Sequence, residues 1–361
     1  MKSKYILLFL SVLLCNYSQS QEFAPTTDTV SHEVYPEENI LQNGIDFFGS
    51  EELLQMTLSF DIREFLRTKD RTKYQDAILT VNINTGDSIT QHIKLKARGK
   101  MRCSYCSFPP LMLKFKDNVT EGERKQGRKT LKLVTHCYLS PKYENNVLKE
   151  YLAYRLFNLV TPYSFKTRLV RIHYVDIHKP YKTYTTYGIL IENEDNLAER
   201  NNAVIIDNKY VTQNHMNSED MTRVALFNYM IGNTDWSVPY QHNVKILKSL
   251  DVLSDKGIPV AYDFDYSGFV NTGYSAPREE LPIKTVTERY YLGVCLGNEE
   301  LNPVIDQFEG LKGRFLSTIN EFEYISMGSK KQLVAYINSF YKVYKHQNTL
   351  LSDMNRTCKV Y

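Results

Sequence analysis

Four oxygen-bearing side chains follow one another in the middle of the chain, at Asp235, Asn243, Asp263 and Asp265. One apolar run follows Asn243, and a second apolar run ends directly at Asp263. Carboxylate and amide oxygens are the ligands that hard cations prefer. In phosphoryl transfer, one acid orients the attacking hydroxyl, while an Asn and a further acid hold the metal that bridges the phosphates. The order therefore predicts Asp235 as the catalytic residue and the other three as ligands of Mg²⁺ or Mn²⁺.

Each of these residues also has a purely structural explanation. Asp235 suits the turn after a helix, and Asn243 suits a turn of its own. Their order with Asp263 along the chain favours catalysis. Positions i and i+2 of an extended strand face the same side, so Asp263 and Asp265 reach one cation if the strand continues to Asp265.

Upstream strands offer a basic partner for nucleotide phosphates. Lys132 lies on an apolar run just before a helical segment that contains Glu150, and Lys114 lies on the preceding run. A lysine on a strand, held by a glutamate on the next helix, is the arrangement that kinases use on phosphates. This topology predicts Lys132 as the phosphate-binding residue with Glu150 as its partner, and Lys114 as the alternative.

The segment Arg98–Phe108 occupies the place of a phosphate-covering loop. It contains one glycine, Gly99, and so departs from the GxGxxG pattern whose backbone N–H groups cradle phosphate. Positive charge is the predicted substitute, carried by Arg98, Lys100 or Arg102. Glu192 ends a later strand that leads to a hinge, where we expect backbone groups to bind a base.

The elements that position these residues change in type along the chain. Alternating apolar residues predict strands over most of residues 51–195, with one helix inserted at Asn145–Leu159. Helical spacing predominates afterwards, at Asp220–Ile231, 299–324 and 329–354. This order predicts an α+β, protein-kinase-like two-lobed fold, with a β-rich N-lobe at 51–195 and a mainly helical C-lobe at 196–361.

The first residues read as a targeting segment. Lys2 and Lys4 precede an apolar run at 5–14 that is too short to span a bilayer, and a small-residue cleavage site ends at Ser20. A lipid on Cys15 is the alternative, although a large residue precedes it. The sequence predicts a cleaved signal peptide at 1–20, a tether at 21–50 and an exported protein, periplasmic or extracellular, without a transmembrane segment.

Composition is that of an ordinary folded protein, with 42% hydrophobic and 24% charged residues. The net charge of +3 is small. Because no strongly basic surface is indicated, we expect no nucleic-acid partner.

Five of the six cysteines follow the predicted cleavage site. Export favours disulfides, and the odd number leaves at least one thiol unpaired within a monomer. A disulfide from Cys103 or Cys106 to Cys137 is one interpretation. Free thiols are a second, and a zinc site that adds His136 to these three cysteines is a third.

The residues around Asp235 resemble the CotH family of atypical, often exported kinases. That family has an Ile-Gly-Asn-x-Asp element, then an Asn, then a strand that ends in Asp-x-Asp, as at 231–265 here. The pattern is also similar to HipA-type kinases, and the turn at Arg98-Gly99 resembles an Arg-Gly element of CotH-like domains. The resemblance covers roughly residues 90 to 275. It implies transfer of the ATP γ-phosphoryl group, with Mg²⁺ or Mn²⁺, to a Ser or Thr hydroxyl of an exported protein acceptor.

Two other classes of function remain open. Asp263-Phe264-Asp265 after an apolar strand also matches the DxD metal motif of glycosyltransferases, although the early strand–helix alternation of a nucleotide-binding parallel sheet is missing. A non-catalytic surface or binding module is the other class. A hydrolase is least favoured, because the chain contains neither GxSxG nor HExxH.

Overall fold

Seven strands close into a β-barrel in the first half of the chain. The computed structural model describes residues 47–84, 86–115, 130–208, 210–251, 255–344 and 347–359. The predicted signal peptide at 1–20, Cys15 and nearly all of the predicted tether at 21–50 lie outside the described residues. The barrel strands are β1 (Leu54–Phe60), β2 (Gln75–Asn84), β3 (Asp87–Ala97), β4 (Leu111–Phe115), β5 (Thr130–Val134), β6 (Thr167–Asp176) and β7 (Lys179–Ile191).

The barrel closes because β1 pairs in parallel with β6. The strand order is β1-β2-β3-β4-β5-β7-β6, and the other neighbouring pairs are antiparallel. In the closing pair, Met56 lies opposite Ile172 and Phe60 lies opposite Asp176. Closure removes the edge strands, whose unpaired N–H and C=O groups would otherwise be exposed.

Alternation of apolar and polar residues explains the strands of the barrel. On β3, the side chains of Ile89, Ile93, Leu95 and Ala97 are buried, while most of the residues between them face solvent. The inward-facing side chains of the strands form one apolar cluster that fills the barrel. A period of two is what a strand with one buried face requires.

Among the described residues, three helices are inserted between the strands of the barrel: α1 (Ile62–Thr68), α2 (Lys100–Tyr105) and α3 (Pro141–Val160). Helix α3 begins with Pro141 at its first turn, where the missing N–H costs no hydrogen bond. It is buried on nearly every side, and it contacts β7.

The second half adds helices around a small antiparallel sheet of order β10-β9-β8. Helices α5 and α6 both contact α3. No helix formed by the described residues is long and apolar enough to cross a membrane. The elements of this half are α4 (Glu194–Arg200), β8 (Ala203–Ile205), α5 (Ser218–Ile231), β9 (Val244–Ser249), β10 (Gly257–Ala261), α6 (Asn298–Glu321), α7 (Met327–Tyr344) and α8 (Gln347–Thr357).

The predicted protein-kinase-like, two-lobed fold is wrong. The structure has a closed barrel with mixed α and β content, and the described residues fall within one compact unit. The physical reason is the pairing of β1 with β6, which joins residues more than a hundred positions apart, such as Met56 and Ile172. Apolar alternation indicates strands, but it does not indicate whether the two edges of a sheet meet.

Two disulfides connect segments that are distant in sequence. Cys106 pairs with Cys137, which joins the end of α2 to the segment before α3. Cys295 pairs with Cys358, which joins the segment before α6 to the end of α8. Cys103 keeps its thiol, and burial raises its pKa. The prediction that Cys103 or Cys106 pairs with Cys137 is therefore confirmed for Cys106, and the zinc interpretation of these cysteines is wrong.

Candidate functional site

A cleft of about 470 Å³ brings most of the predicted site residues together. Its walls come from the segment after β3, from β5, α3 and β7, and from the loops that follow α5 and β10. The predicted residues that line it are Arg98, Lys100, Arg102, Lys132, Asp235, Asn243, Asp263 and Asp265. Residues of the barrel and residues of the second half of the chain thus line the same cleft.

Asp235 is held by a turn built from asparagines. Helix α5 ends at Ile231, and Gly232 caps it with a left-handed φ of 65°. The backbone N–H of Asn233 donates to the Asn228 carbonyl at 2.7 Å, and its side-chain amide donates to Asn228 Oδ1 at 2.9 Å. The Asn233 Oδ1 then accepts the backbone N–H of Asp235 at 3.0 Å. Because Asn228 and Asn233 are buried, the position of Asp235 is fixed from inside the core.

Both carboxylate oxygens of Asp235 have side-chain partners. Oδ1 lies 2.9 Å from His242 Nε2, and Oδ2 accepts a hydrogen bond from Asn243 Nδ2 at 3.0 Å. The bond to Asp235 raises the pKa of His242. Asp235 is about a third exposed at the cleft, so its carboxylate is oriented but remains accessible.

Asn243 and Asp263 adopt unusual backbone conformations. Their φ angles are 52° and 62°, in the left-handed region that few residues other than glycine enter. The Asn243 carbonyl accepts the N–H of Tyr262 at 3.0 Å, and the N–H of Asp263 donates to the Tyr154 hydroxyl at 2.8 Å. Such conformations persist where surrounding bonds determine them, and they cluster at functional sites.

The expected strand geometry of the acidic pair is wrong. Strand β10 ends at Ala261, and the left-handed turn at Asp263 stops any continuation to Asp265. The turn nevertheless places both Asp263 and Asp265 in the lining of the cleft. The two acids therefore come together through a turn and not through strand alternation.

Asp265 is the most deeply buried acid of the cleft, at 5% exposed. Its Oδ2 accepts a hydrogen bond from the Tyr274 hydroxyl at 2.8 Å. Burial and the neighbouring charge of Asp263 raise the pKa of Asp265 to about 7. A nearby cation would stabilise the charged form of this carboxyl and so lower its pKa.

The oxygen atoms of Asp263, Asp265 and Asn243 suit a hard cation that also binds a phosphate. Among the described residues, no three His, Cys, Asp or Glu side chains are arranged to hold a metal ion. Mg²⁺ is commonly bound through one or two carboxylates while substrate phosphates and water complete its shell. Asp263 and Asp265 supply two carboxylates in the lining of the cleft, which matches that pattern. Asn243 lines the same cleft, and its bonds to Asp235 both use Nδ2, so they do not occupy its amide oxygen.

Lys132 also lines the cleft, but its partner differs from the prediction. Its Nζ lies 2.6 Å from Glu194 Oε1 at the start of α4, and Lys245 reaches the other oxygen of Glu194 at 3.0 Å. Burial lowers the pKa of Lys132. The predicted Lys132–Glu150 pair is therefore wrong, since β5 lies beside β7, where Lys132 is opposite Ile191 and α4 begins directly after.

Glu150 instead faces Arg102. Its Oε2 lies 4.0 Å from Arg102 Nη1, and both side chains are almost fully buried. Burial, together with the charges of Asp265 and Asp263, raises the pKa of Glu150 well above its ordinary value. Arg102 also donates to the Thr135 carbonyl at 2.5 Å. The cation held by the α3 glutamate is thus an arginine of the short helix α2.

Three predicted residues lie outside the lining of the cleft: Glu150, Lys114 and Glu192. Lys114 extends from β4 toward Tyr74, with its Nζ 5.4 Å from the ring centroid. Glu192 is buried in a structural network, where it pairs with Arg200 at 2.7 Å and accepts the N–H of Lys166 at 2.5 Å. Glu192 therefore holds the end of β7 in place.

The remaining wall is apolar and aromatic. Val134, Phe165, Ile191 and Tyr262 line it. The Nζ of Lys132 lies 5.6 Å from the ring centroids of both Phe165 and Tyr262, so the lysine ammonium group lies next to this wall. Sequence reasoning missed Phe165 and Tyr262, because isolated aromatic residues carry no local signal of a site.

We expect Gly232→Ala to destabilise the protein by about 2 kcal/mol or more, because the left-handed φ and a close contact act together. A Cβ at Gly232 would lie 2.2 Å from the Tyr336 hydroxyl and 3.3 Å from the Val286 carbonyl. Urea unfolding measures the change. Gly310→Ala is the matched control, since Gly310 lies exposed in α6 with nothing within 4 Å, and we expect it to stabilise by roughly 0.5–1 kcal/mol. Equal stabilities for the two variants would contradict a strained turn at Gly232.

No protein-family model and no curated protein matches this chain. Its function must therefore be inferred from the residues and the geometry of the cleft.

Proposed function

We propose that the protein is a metal-dependent phosphotransferase that moves the γ-phosphoryl group of ATP to a hydroxyl. The observation that carries this proposal is the division of one cleft into an acidic end and a basic wall. Asp235, Asn243, Asp263 and Asp265 form the acidic end, and basic side chains of β5 and of the segment after β3 face it.

The basic wall and the apolar wall together suit a nucleoside triphosphate. Phosphate oxygens need several cationic partners, which the cleft offers in Arg98, Lys100, Arg102 and Lys132. An adenine ring has apolar faces, and Phe165 and Tyr262 are aromatic surfaces beside Lys132. The volume of about 470 Å³ falls within the range of small-molecule sites.

In the proposed reaction, Asp235 accepts or orients the proton of the acceptor hydroxyl. His242 contacts one oxygen of Asp235 and Asn243 contacts the other, so together they fix the direction of the carboxylate. Asp263, Asp265 and the Asn243 oxygen would hold Mg²⁺ or Mn²⁺, which when bound neutralises charge on the transferring phosphoryl group. Lys132, oriented by Glu194, would bind the phosphates on the other side.

The acceptor and the compartment belong to the same proposal. The resemblance to CotH-like kinases favours a Ser or Thr hydroxyl of an exported protein as acceptor. Export is supported by the Cys106–Cys137 and Cys295–Cys358 disulfides, because such bonds persist in oxidising compartments. A periplasmic or extracellular location is the one that we propose.

Binding of ATP with Mg²⁺ is expected to raise the melting temperature of the protein. A ligand at 100 times its Kd stabilises the native state by about 2.7 kcal/mol. Asp263→Ala should abolish the metal-dependent part of this shift, because it removes a carboxylate from the acidic end. Asp306→Asn is the control, since Asp306 lies exposed on α6 away from the cleft. Thermal unfolding with ATP, nucleotide sugars and Mg²⁺ or Mn²⁺ provides the measurement.

The other outcomes each contradict the proposal in a different way. A shift with nucleotide sugars alone would indicate a DxD glycosyltransferase. No shift with any nucleotide would indicate a non-catalytic binding module. A shift that Asp263→Ala leaves unchanged would place the nucleotide away from the acidic end.

A further inference from the structure

Arg102 separates the cleft from a second, much smaller cavity. This cavity has a volume of about 10 Å³ and is lined by residues of α2 and α3, by Cys137, and by the segment that contains Thr272 and Tyr274. Arg102 is the residue that lines both spaces. A space of this size holds about one water molecule and excludes any larger ligand.

Four buried polar atoms in the lining of this small cavity have no hydrogen-bond partner among the described residues. They are Arg102 Nε, Asn146 Nδ2, Glu150 Oε1 and Thr272 Oγ1. Asn146, Glu150 and Thr272 are 7%, 2% and 4% exposed, so bulk solvent does not satisfy them. A buried polar atom without a partner costs roughly 1–3 kcal/mol, and four in one cavity are therefore unfavourable unless something binds among them.

The chemistry of the four atoms matches one occupant. Arg102 Nε and Asn146 Nδ2 carry hydrogens and need an acceptor, while the Glu150 oxygen and the Thr272 hydroxyl can accept. A water molecule accepts two hydrogen bonds and donates two. A cation would face the N–H groups of Arg102 and Asn146, and an anion would face the Glu150 carboxyl, so neither suits the whole set.

We propose that one buried water molecule binds Arg102 Nε, Asn146 Nδ2, Glu150 Oε1 and Thr272 Oγ1, and that it holds the guanidinium of Arg102 toward the cleft. Arg102 then has three fixed contacts: the water, the Thr135 carbonyl at 2.5 Å and Glu150 Oε2 at 4.0 Å. The guanidinium is thereby oriented before any ligand arrives, which reduces the cost of ordering a long side chain on binding. That Arg102 meets phosphate rests on the proposed function, but the water site itself does not.

A crystal structure of the protein without nucleotide tests the site directly. At a resolution near 1.8 Å, we expect a single density peak within about 2.7–3.2 Å of the four atoms. Absence of the peak would overturn the proposal, as would direct pairing of the four side chains with one another. A bromide or rubidium soak that produced an anomalous signal at this position would identify an ion and would also overturn it.

Thermal unfolding of Asn146→Leu, Thr272→Val and the double variant provides a second test. Each single change should lower the melting temperature by about 2–6 °C, because it removes a partner of the water. The double variant should lose clearly less than the sum of the two, since both residues act through the same molecule. Strictly additive losses would contradict a shared water. Neither test uses nucleotide, so a failure here is distinguishable from a failure of the proposed phosphotransferase function.

Discussion

Replacing Asp235 with Asn is expected to lower the rate of ATP turnover by about 10²–10⁴-fold while nucleotide affinity changes little. Asparagine has the size of aspartate and keeps an oxygen near His242, so the local fold should be retained. It cannot take a proton from an attacking hydroxyl. The two bonds that orient this carboxylate, from His242 at 2.9 Å and Asn243 at 3.0 Å, indicate a group whose direction matters.

Single-turnover and steady-state measurements of ATP consumption, with water or a Ser/Thr-rich protein as acceptor, check this prediction. Thermal unfolding with ATP and Mg²⁺ reports binding in parallel. Asp306→Asn, an exposed change on α6, should leave both unchanged. Turnover within about twofold of the natural protein would exclude Asp235 as the catalytic base, since such a base contributes at least about a hundredfold. Loss of binding together with turnover would give Asp235 a role in forming the site.

The acidic end of the cleft was predictable because its residues lie close together in the chain. Asp235 and Asp263 follow elements whose apolar patterns are clear, and Asn243 directly precedes such an element. The structure ends α5 at Ile231 and β10 at Ala261, and it begins β9 at Val244. Short loops after well-defined elements leave few places for their side chains. Local sequence patterns therefore indicated that these residues meet, although they gave the wrong reason for the meeting of Asp263 and Asp265.

The basic wall was not predictable in the same way, because it depends on contacts between distant elements. Lys132 meets Glu194 only because β5 pairs with β7, and that pairing crosses the whole of α3 and β6. Glu150 meets Arg102, which lies 48 positions earlier on a helix of six residues that has no strong apolar period. The parallel pairing of β1 with β6, which closes the barrel, is a contact of the same kind. Charge alone does not distinguish among several lysines, arginines and glutamates as partners.

The Arg102–Glu150 contact leads to the second large expected effect. We expect Arg102→Met to destabilise the protein by about 3 kcal/mol or more at neutral pH, because breaking a buried ion pair leaves a buried charge without compensation. Glu150 is 2% exposed, and the charges of Asp265 and Asp263 act on it. Methionine fills a similar volume, so a cavity contributes little to this loss.

The double variant Arg102→Met with Glu150→Gln distinguishes charge from packing. If the uncompensated acid is the cause, the double variant should recover most of the lost stability, and urea unfolding of the three variants gives the coupling. Arg67→Met is the surface control, since Arg67 pairs with Glu64 in solvent and should change stability little. A double variant no more stable than Arg102→Met would show that the arginine acts through shape or through its bond to Thr135.

The pH dependence of the Arg102→Met variant follows from the raised pKa of Glu150. A carboxyl whose pKa is raised on folding binds more protons in the native state than in the unfolded state. Stability then falls as pH rises from the unfolded pKa of about 4.3 toward the folded pKa. Loss of the Arg102 charge raises the pKa of Glu150 in the folded protein further, and so widens the pH range over which stability falls. The destabilisation by Arg102→Met should therefore be smaller at pH 5 than at pH 8, whereas a loss equal at both pH values would mean that Glu150 keeps the same charge with and without its arginine.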